Sequence, residues 1–259
     1  MKPNFWLDRR VFLTGHTGFK GGWLAIWLTR MGAEVYGYSL KADHQNGIYE
    51  TTNLKDQLIG ETVADIRDNQ KLSGVIASFK PEVIFHLAAQ PLVRLSYKDP
   101  EETFSTNVMG LLSLFEAARK SSSVRTIINV TTDKCYENRE WVWPYREDEL
   151  LGGHDPYSAS KACAEILTSS YRRSFFNEAN IEIASARAGN VIGGGDKASD
   201  RLVPDFCNSL ESGNISKKVK TESCQTGWER YSFSCRFGWK NLRHALARKK
   251  LEMTSLQSL

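Results

Sequence analysis

The chain has 259 residues, of which 41% are hydrophobic and 25% charged, the balance of a globular protein with one large core or two modest domains. Its apolar runs fall short of the ~20 residues a membrane helix needs. The start, MKPNFWLDRR, lacks a signal-peptide core, so a cytoplasmic protein with no membrane partner is expected. The formal charge of +4 is concentrated at the end, where residues 215–259 hold ten Lys/Arg against three Glu. Such a tail suggests a nucleic-acid arm at first sight, a reading the rest of the chain does not support. Cys135, Cys163, Cys207, Cys224 and Cys235 make no CxxC pair and have no histidine at zinc spacing, which predicts reduced thiols and no metal site.

Arg10–Gly21 reads RVFLTGHTGFKG. Val11–Leu13 predicts a short buried strand and Trp23–Met31 a helix, with Gly15, Gly18 and Gly21 at three-residue spacing between them. Glycines let the backbone turn sharply and approach a pyrophosphate closely, and the helix end behind them offers free N–H groups. Glu34–Leu40 predicts a second strand. At its end, where an acidic residue usually holds the adenosine ribose, stands Ser39 followed by Lys41, so the loop by itself does not choose between NAD and NADP. Residues 44–60 read as a surface connection.

Thr62–Arg67 predicts a short strand delivering Asp65 and Ile66 to an adenine, the carboxylate for its amino group and the aliphatic for its face. A helix over Asn69–Phe79 precedes a strand over Val83–Leu87, which runs into the small residues Ala88 and Ala89 and then Gln90. Glu101–Lys120 has helical periodicity and carries Asn107, either a surface polar residue or part of the site. Arg125–Thr132 predicts a central parallel strand that presents Thr132, Asp133 and Lys134 at its carboxyl end, where open α/β sheets bind ligands. After an aromatic and acidic loop over 136–155 come a helix over Pro156–Phe176 and a strand over Ile181–Arg187. The alternation predicts a doubly wound parallel α/β sheet of Rossmann type, a dinucleotide-binding domain over 1–187. Residues 188–213 read as glycine-rich loop and one short helix.

Tyr157 and Lys161 form Y-x-x-x-K, which on a helix puts both on one face; the ammonium is expected to pull the phenol's pKa down from about 10. With Thr132 upstream, the trio suits oxidation of an alcohol: the tyrosine takes the hydroxyl proton, the threonine hydrogen-bonds the same hydroxyl and a nicotinamide takes the hydride. Asp133 and Lys134 beside them are either a solvated surface pair or the groups of a second proton-transfer step.

TGHTGFKGGWLAIWL, HLAAQPLVRLSYKDPEETFSTNVMG, TTDKCYEN, DPYSASKACAE and RAGNVIGGGD followed by RLVPD together resemble the CDP-glucose 4,6-dehydratases, a branch of the extended short-chain dehydrogenase/reductase family. The resemblance runs from about Phe5 to Gly213. It implies NAD as the cofactor, CDP-glucose as the substrate and a homodimer formed through the helices that contain Asn107 and Tyr157. The implied reaction is oxidation at C4, loss of water across C5–C6 and return of the hydride to C6. Its product, CDP-4-keto-6-deoxyglucose, is a precursor of dideoxy sugars in bacterial surface polysaccharide such as the lipopolysaccharide O-antigen.

By position, Tyr157 is the implied base and Lys161 its activator. Asp133 would protonate the departing hydroxyl, and Lys134 stands where related dehydratases carry the glutamate that removes the C5 proton. Gly15, His16, Thr17, Gly18, Phe19 and Lys20 would cradle the pyrophosphate. Asp65 and Ile66 would meet the adenine, with Ser39 at the ribose. Ala88, Ala89 and Gln90 would line the path to the nicotinamide, Asn107 would support them, and Asn190 and Arg201 would lie near the sugar nucleotide. Beyond Gly213 the resemblance ends. Residues 188–259 are expected to form only a partial substrate domain, with a divergent basic tail from about 214 that reads as a frame-shifted or altered ending and a basic helix over Trp239–Leu251.

Overall fold

A computed structural model describes residues 4–211 apart from His44; the tail and the helix expected over Trp239–Leu251 lie outside the described residues. Six parallel strands form one sheet in the order β3-β2-β1-β4-β5-β6. They are β1 Arg10–Thr14, β2 Glu34–Ser39, β3 Gly60–Val63, β4 Val83–His86, β5 Thr126–Thr132 and β6 Glu182–Ala188. Strand order reverses between β1 and β4, so loops leaving these two strands part to opposite sides and open a crevice at the strand ends. The expected doubly wound parallel sheet is present.

β1 shows why both faces must be covered. Phe12 packs into a core with Leu72, Ile76, Leu111 and Phe115, whereas Val11 and Leu13 pack on the other side with Ala25, Leu28 and Val35. A strand buried on both faces is an unbroken apolar run rather than an alternating one. The helices supplying these layers include α1 Phe19–Arg30, α3 Asn69–Phe79, α6 Gly110–Arg119 and α7 Pro156–Tyr171. Among the described residues no helix is long and apolar enough to cross a membrane.

Local departures from the expected elements have identifiable causes. α1 begins four residues before Trp23, because Gly21 and Gly22 are helical and small for packing. A Cβ on Gly21 would stand 2.0 Å from the Gly15 carbonyl oxygen, and one on Gly22 2.5 Å from Ile48. The stretch read as surface connection folds a short helix, α2 (Ile48–Thr51), and a tight turn over Leu54–Gln57, burying Ile48 and Leu54 against α1. β3 ends at Val63, leaving Asp65 and Ile66 in the loop beyond it.

Between β4 and α6 lie α4 Val93–Lys98 and α5 Pro100–Phe104, and the helix expected over Glu101–Lys120 is interrupted by a wide π-type turn over Ser105–Met109. The extra residue in such a turn redirects a side chain, here Asn107. Past β6 the described residues continue through a loop to α8, Leu202–Glu211.

Candidate active site

The glycine bend sits at the switch point. Gly15 adopts φ +76°, and a Cβ there would come within 2.8 Å of the Leu87–Ala88 backbone, so only glycine fits between β1 and β4. Thr14 ties the two strand ends together: its hydroxyl meets His86 Nδ1 at 2.8 Å and accepts the Leu87 and Ala88 N–H groups at 3.1 Å. Burial pushes His86 down to about 3, helped by the charge of Lys161, so this imidazole is a neutral strut.

Helix α1 is capped differently from its neighbours. α3, α5 and α7 each begin with an aspartate, Asp68, Asp99 or Asp155, whose carboxylate accepts a first-turn N–H. α1 begins at Gly18 with no side-chain cap and no acidic residue in its first turn. Its leading N–H groups therefore point into the crevice with their partial positive charge uncompensated, which is how a helix end receives a phosphate.

The residues assigned to the nucleotide divide by what they touch. Thr17 donates to the Leu40 carbonyl at 3.0 Å and pairs with the Ser39 hydroxyl at 2.8 Å, joining the bend to the end of β2. Ser39 is buried by this contact. His16 turns away from the bend: it is fully buried, its Nε2 lies 2.9 Å from Glu61, and its ring fills the space a Cβ on Gly37 would need. Burial lowers its pKa despite Glu61.

Asp65 is gripped by Arg67, whose guanidinium also reaches Glu102, and Arg67 holds its carboxyl below the usual range. Ile66 is buried against Gly110. Ala88 and Ala89 remain half-buried at the crevice wall. Gln90 points into the scaffold, donating to Thr103 at 2.8 Å and accepting from the Leu92 N–H at 2.5 Å. Asn107 is buried, not at the surface: it accepts from the Gln90 N–H at 2.8 Å and donates to the Gln90 carbonyl at 3.1 Å and to Ser160 at 2.8 Å. It thus fixes the loop after β4 to α7.

The chemistry-bearing groups converge at the end of β5. Thr132 caps a tight turn over Asp133–Cys135, accepting the Lys134 N–H at 3.4 Å and donating to Asp133 at 3.2 Å. Tyr157, in the first turn of α7, is buried, with its backbone N–H donating to the Ser96 hydroxyl at 3.1 Å. Burial raises the pKa of Asp133 against the pull of Thr132 and Lys134, which keeps a proton on that carboxyl to higher pH.

One expectation from spacing is corrected. Burial pushes Tyr157 up to about 12, with Thr132 and Arg201 pulling it down and Asp133 and Asp155 pushing it up. Lys161 is itself forced down to about 8, by burial first and by Lys20 second. Desolvation of both groups outweighs the attraction that their i, i+4 placement suggests.

Sequence reasoning passed over the buried group that holds these parts together. Glu165, one turn beyond Lys161 on α7, accepts from Thr131, from Ser185 at 2.8 Å and from Arg187 at 2.9 Å. Arg187 also donates at 2.8 Å to the Tyr136 hydroxyl and to the Glu147 carbonyl. One ion pair thereby joins β5, β6, α7 and the loop that follows Lys134.

Of the two residues assigned to a sugar nucleotide, Asn190 is exposed and Arg201 is held by Asp196 at 2.9 Å. The segment between them folds back over α1, with Trp23 Nε1 donating to the Gly194 carbonyl at 2.9 Å.

This arrangement has relatives. A protein from Salmonella typhimurium described as CDP-glucose 4,6-dehydratase is 57% identical over 214 residues, which cover 81% of this chain and 59% of that protein. A UDP-glucose 4-epimerase of Mycolicibacterium smegmatis is 32% identical over 186 residues, covering 71% of this chain and 56% of the epimerase. The chain thus spans somewhat more than half the length of these relatives. Among solved structures, the dTDP-glucose 4,6-dehydratase DesIV of Streptomyces venezuelae, a double mutant with NAD and DAU bound, shares the fold with a TM-score of 0.68 at 24% identity, over 79% of this chain and 62% of that one. The sequence profile described as GDP-mannose 4,6 dehydratase matches residues 12–220, and the chain belongs to that family.

Proposed function

We propose that the protein is a sugar-nucleotide 4,6-dehydratase that converts CDP-glucose to CDP-4-keto-6-deoxyglucose and water, with NAD as its resident cofactor. The observation that carries this reading is the grouping of Thr132, Asp133 and Tyr157 at the end of β5, with Lys134 beside them. The 57% identity to the Salmonella typhimurium dehydratase supports the choice of CDP-glucose.

The residues present fit a dinucleotide. The uncapped start of α1 and the glycines at 15 and 21, where any Cβ would collide with backbone, make a cradle for its pyrophosphate. Ser39, bonded to Thr17 of the pyrophosphate cradle, would face its adenosine ribose, and Ala88 and Ala89 would leave room along the crevice wall. When bound, NAD would take up the C4 hydride and later return it at C6, so that no external reductant is consumed.

The chain's own residues would do the rest. Tyr157 would accept the C4 hydroxyl proton while Thr132 orients that hydroxyl. The ketone so formed acidifies C5–H; Lys134 would take that proton and Asp133 would give one to the departing C6 hydroxyl, so that the C6–O bond breaks as the C5–C6 double bond forms. The raised pKa of Asp133 favours the donor role. Lys161 would assist Tyr157 from one turn along the helix.

Pro100, Phe104, Val108, Met109 and Cys163 line an apolar cleft, and Met109 is 52% exposed. This face supports the homodimer through the helices bearing Asn107 and Tyr157. The cytoplasm, and the supply of sugars for surface polysaccharide, fit a reaction on a free nucleotide sugar.

The test is incubation with CDP-glucose and NAD, addition of alkali, and ultraviolet detection of the 4-keto-6-deoxy sugar. Uptake of NAD without that product would mark the chain as a binding remnant. A sugar altered at C4 that keeps its C6 hydroxyl would mark an epimerase, for which the Asp133–Lys134 pair has no task.

A further inference from the structure

Three cations, Lys20, Lys161 and Arg201, act on one another beside the first turn of α1. Lys161 is 6% exposed, and among the described residues neither it nor Lys20 makes an ion pair or hydrogen bond through its ammonium. Arg201 is tethered by Asp196, whose carboxylate is 95% buried and oriented by that contact. Lys20 is pushed down by burial, then by Arg201, and is relieved in part by Asp133; Lys161 is pushed down by burial, then by Lys20, and is relieved in part by Glu165. Like charges drawn into a crevice cost free energy that a bound anion offsets.

The path of the chain says which anion. Past β6, Gly189 faces Asp133, where a Cβ would stand 3.3 Å from the carboxylate. Gly193 lies on Phe19, where a Cβ would stand 3.1 Å from the ring, and the Gly194 carbonyl is held by Trp23. The segment 189–194 therefore runs from the acid group of the site to the first turn of α1. Phe19 and Trp23, which flank Lys20 along α1, are the residues this segment touches. The N–H groups of α1 already suffice for a dinucleotide pyrophosphate. Arg201, held by Asp196 two residues past that segment, and Asp133, which faces Gly189 at its other end, both act on the Lys20 ammonium.

We infer that Lys20 and Arg201 together grip the diphosphate of the nucleotide sugar, which makes Lys20 a substrate residue in a loop otherwise devoted to the cofactor. The inference rests on the sugar-nucleotide reading above. A sugar diphosphate seated between two cations would hold C4 to C6 of the hexose toward Asp133 and Tyr157, while its nucleoside extends the other way.

The test is calorimetric titration of the full chain and of its Lys20→Met and Lys20→Arg variants with CDP-glucose and, separately, with NAD. Lys20→Met should weaken CDP-glucose by about ten- to a hundredfold, as loss of a charge-assisted contact does, and leave NAD within about twofold. Lys20→Arg should keep most of the CDP-glucose affinity. Because Lys20 repels its neighbours, Lys20→Met should melt no lower than the parent, which separates a binding defect from a folding one. Equal or greater loss of NAD affinity would return Lys20 to the cofactor and overturn the inference. Unchanged CDP-glucose affinity in Lys20→Met would overturn it while leaving the dehydratase reading intact. A parent chain that binds NAD but not CDP-glucose would remove both.

Discussion

Replacing Arg187 by methionine tests whether the buried ion pair carries stability. The methionine keeps much of the aliphatic stem but loses the 2.9 Å pairing to Glu165, the two 2.8 Å donations to Tyr136 and Glu147, and the guanidinium 4.9 Å above the Tyr136 ring. Glu165, with a side chain only 4% exposed, would keep just the hydroxyls of Thr131 and Ser185. Breaking a buried pair by removing one partner costs about 3–5 kcal/mol. A cleft of about 430 Å³ bordered by Glu165 and Arg187 admits water beside the pair and places the cost at the lower end. At about 2–4 °C per kcal/mol for a body of this size, the melting temperature should fall by roughly 6–12 °C near neutral pH.

The pH dependence follows from Glu165. In the parent its pKa is lowered, burial being outweighed by Arg187, Thr131 and Ser185. Its contribution is therefore present above the unfolded carboxylate value and lost as pH falls through the folded one. In the variant burial loses its main opponent and the pKa rises, so the variant recovers stability relative to the parent as pH falls. Thermal melts by circular dichroism should show the gap narrowing between about pH 7 and about pH 5. Adding Glu165→Gln should recover part of the loss at neutral pH. A single variant melting within about 2 °C of the parent near neutrality, or a gap independent of pH, would refute the reasoning.

Gly21→Ala would place a Cβ 2.0 Å from the Gly15 carbonyl oxygen; calorimetry should find NAD uptake lost, with a stability cost of about 1–3 kcal/mol from overpacking. Lys161, pushed down to about 8 from 10.5, binds fewer protons folded than unfolded between those values, so stability should rise with pH from about 8 upward. In Lys161→Met that rise should vanish in melts taken at pH values on either side of it. Lys134→Ala should still allow bound NAD to become reduced, seen as near-ultraviolet absorbance, while water loss slows by about 10²–10⁴-fold, the worth of a general base; unchanged overall turnover would remove Lys134 from that role.

Legibility in the sequence followed the distance between partners. The glycine bend, the Thr132–Lys134 strand end and the Tyr157–Lys161 spacing are local patterns, and the sheet they belong to follows from alternating strands and helices. Asn107 was visible, but not the wide turn over Ser105–Met109 that aims it at Gln90, because helical periodicity continues across that turn. His16 looked like part of the phosphate bend, yet its partner Glu61 lies 45 residues away on β3 and draws the ring inward. Glu165 and Arg187 are 22 residues apart and meet only after β6 has paired with β5. Asp65 was read as part of a strand over Thr62–Arg67, but it lies beyond the end of β3, and its carboxylate is held by Arg67, two residues on, which spacing alone did not reveal.

The pKa inversion between Tyr157 and Lys161 bears on how the site could work. At about 12 the phenol has almost no phenolate near neutral pH, and each unit of pKa corresponds to about 1.36 kcal/mol. Bringing it near neutrality takes several kcal/mol of favourable interaction with the anion. The ammonium one turn away, still mostly charged near neutral pH with its pKa lowered to about 8 by burial and by Lys20, does not outweigh the burial of the phenol in the ligand-free chain. An anion placed between Lys20 and Arg201 would reverse the effect of Lys20 and hold Lys161 charged to higher pH beside Tyr157. The phosphate grip and the base would then be coupled: Lys20→Met would lose affinity for the nucleotide sugar, and the acidic limb of its pH–rate profile would move away from that of the parent. An unshifted limb would show that the two ends of the crevice act separately.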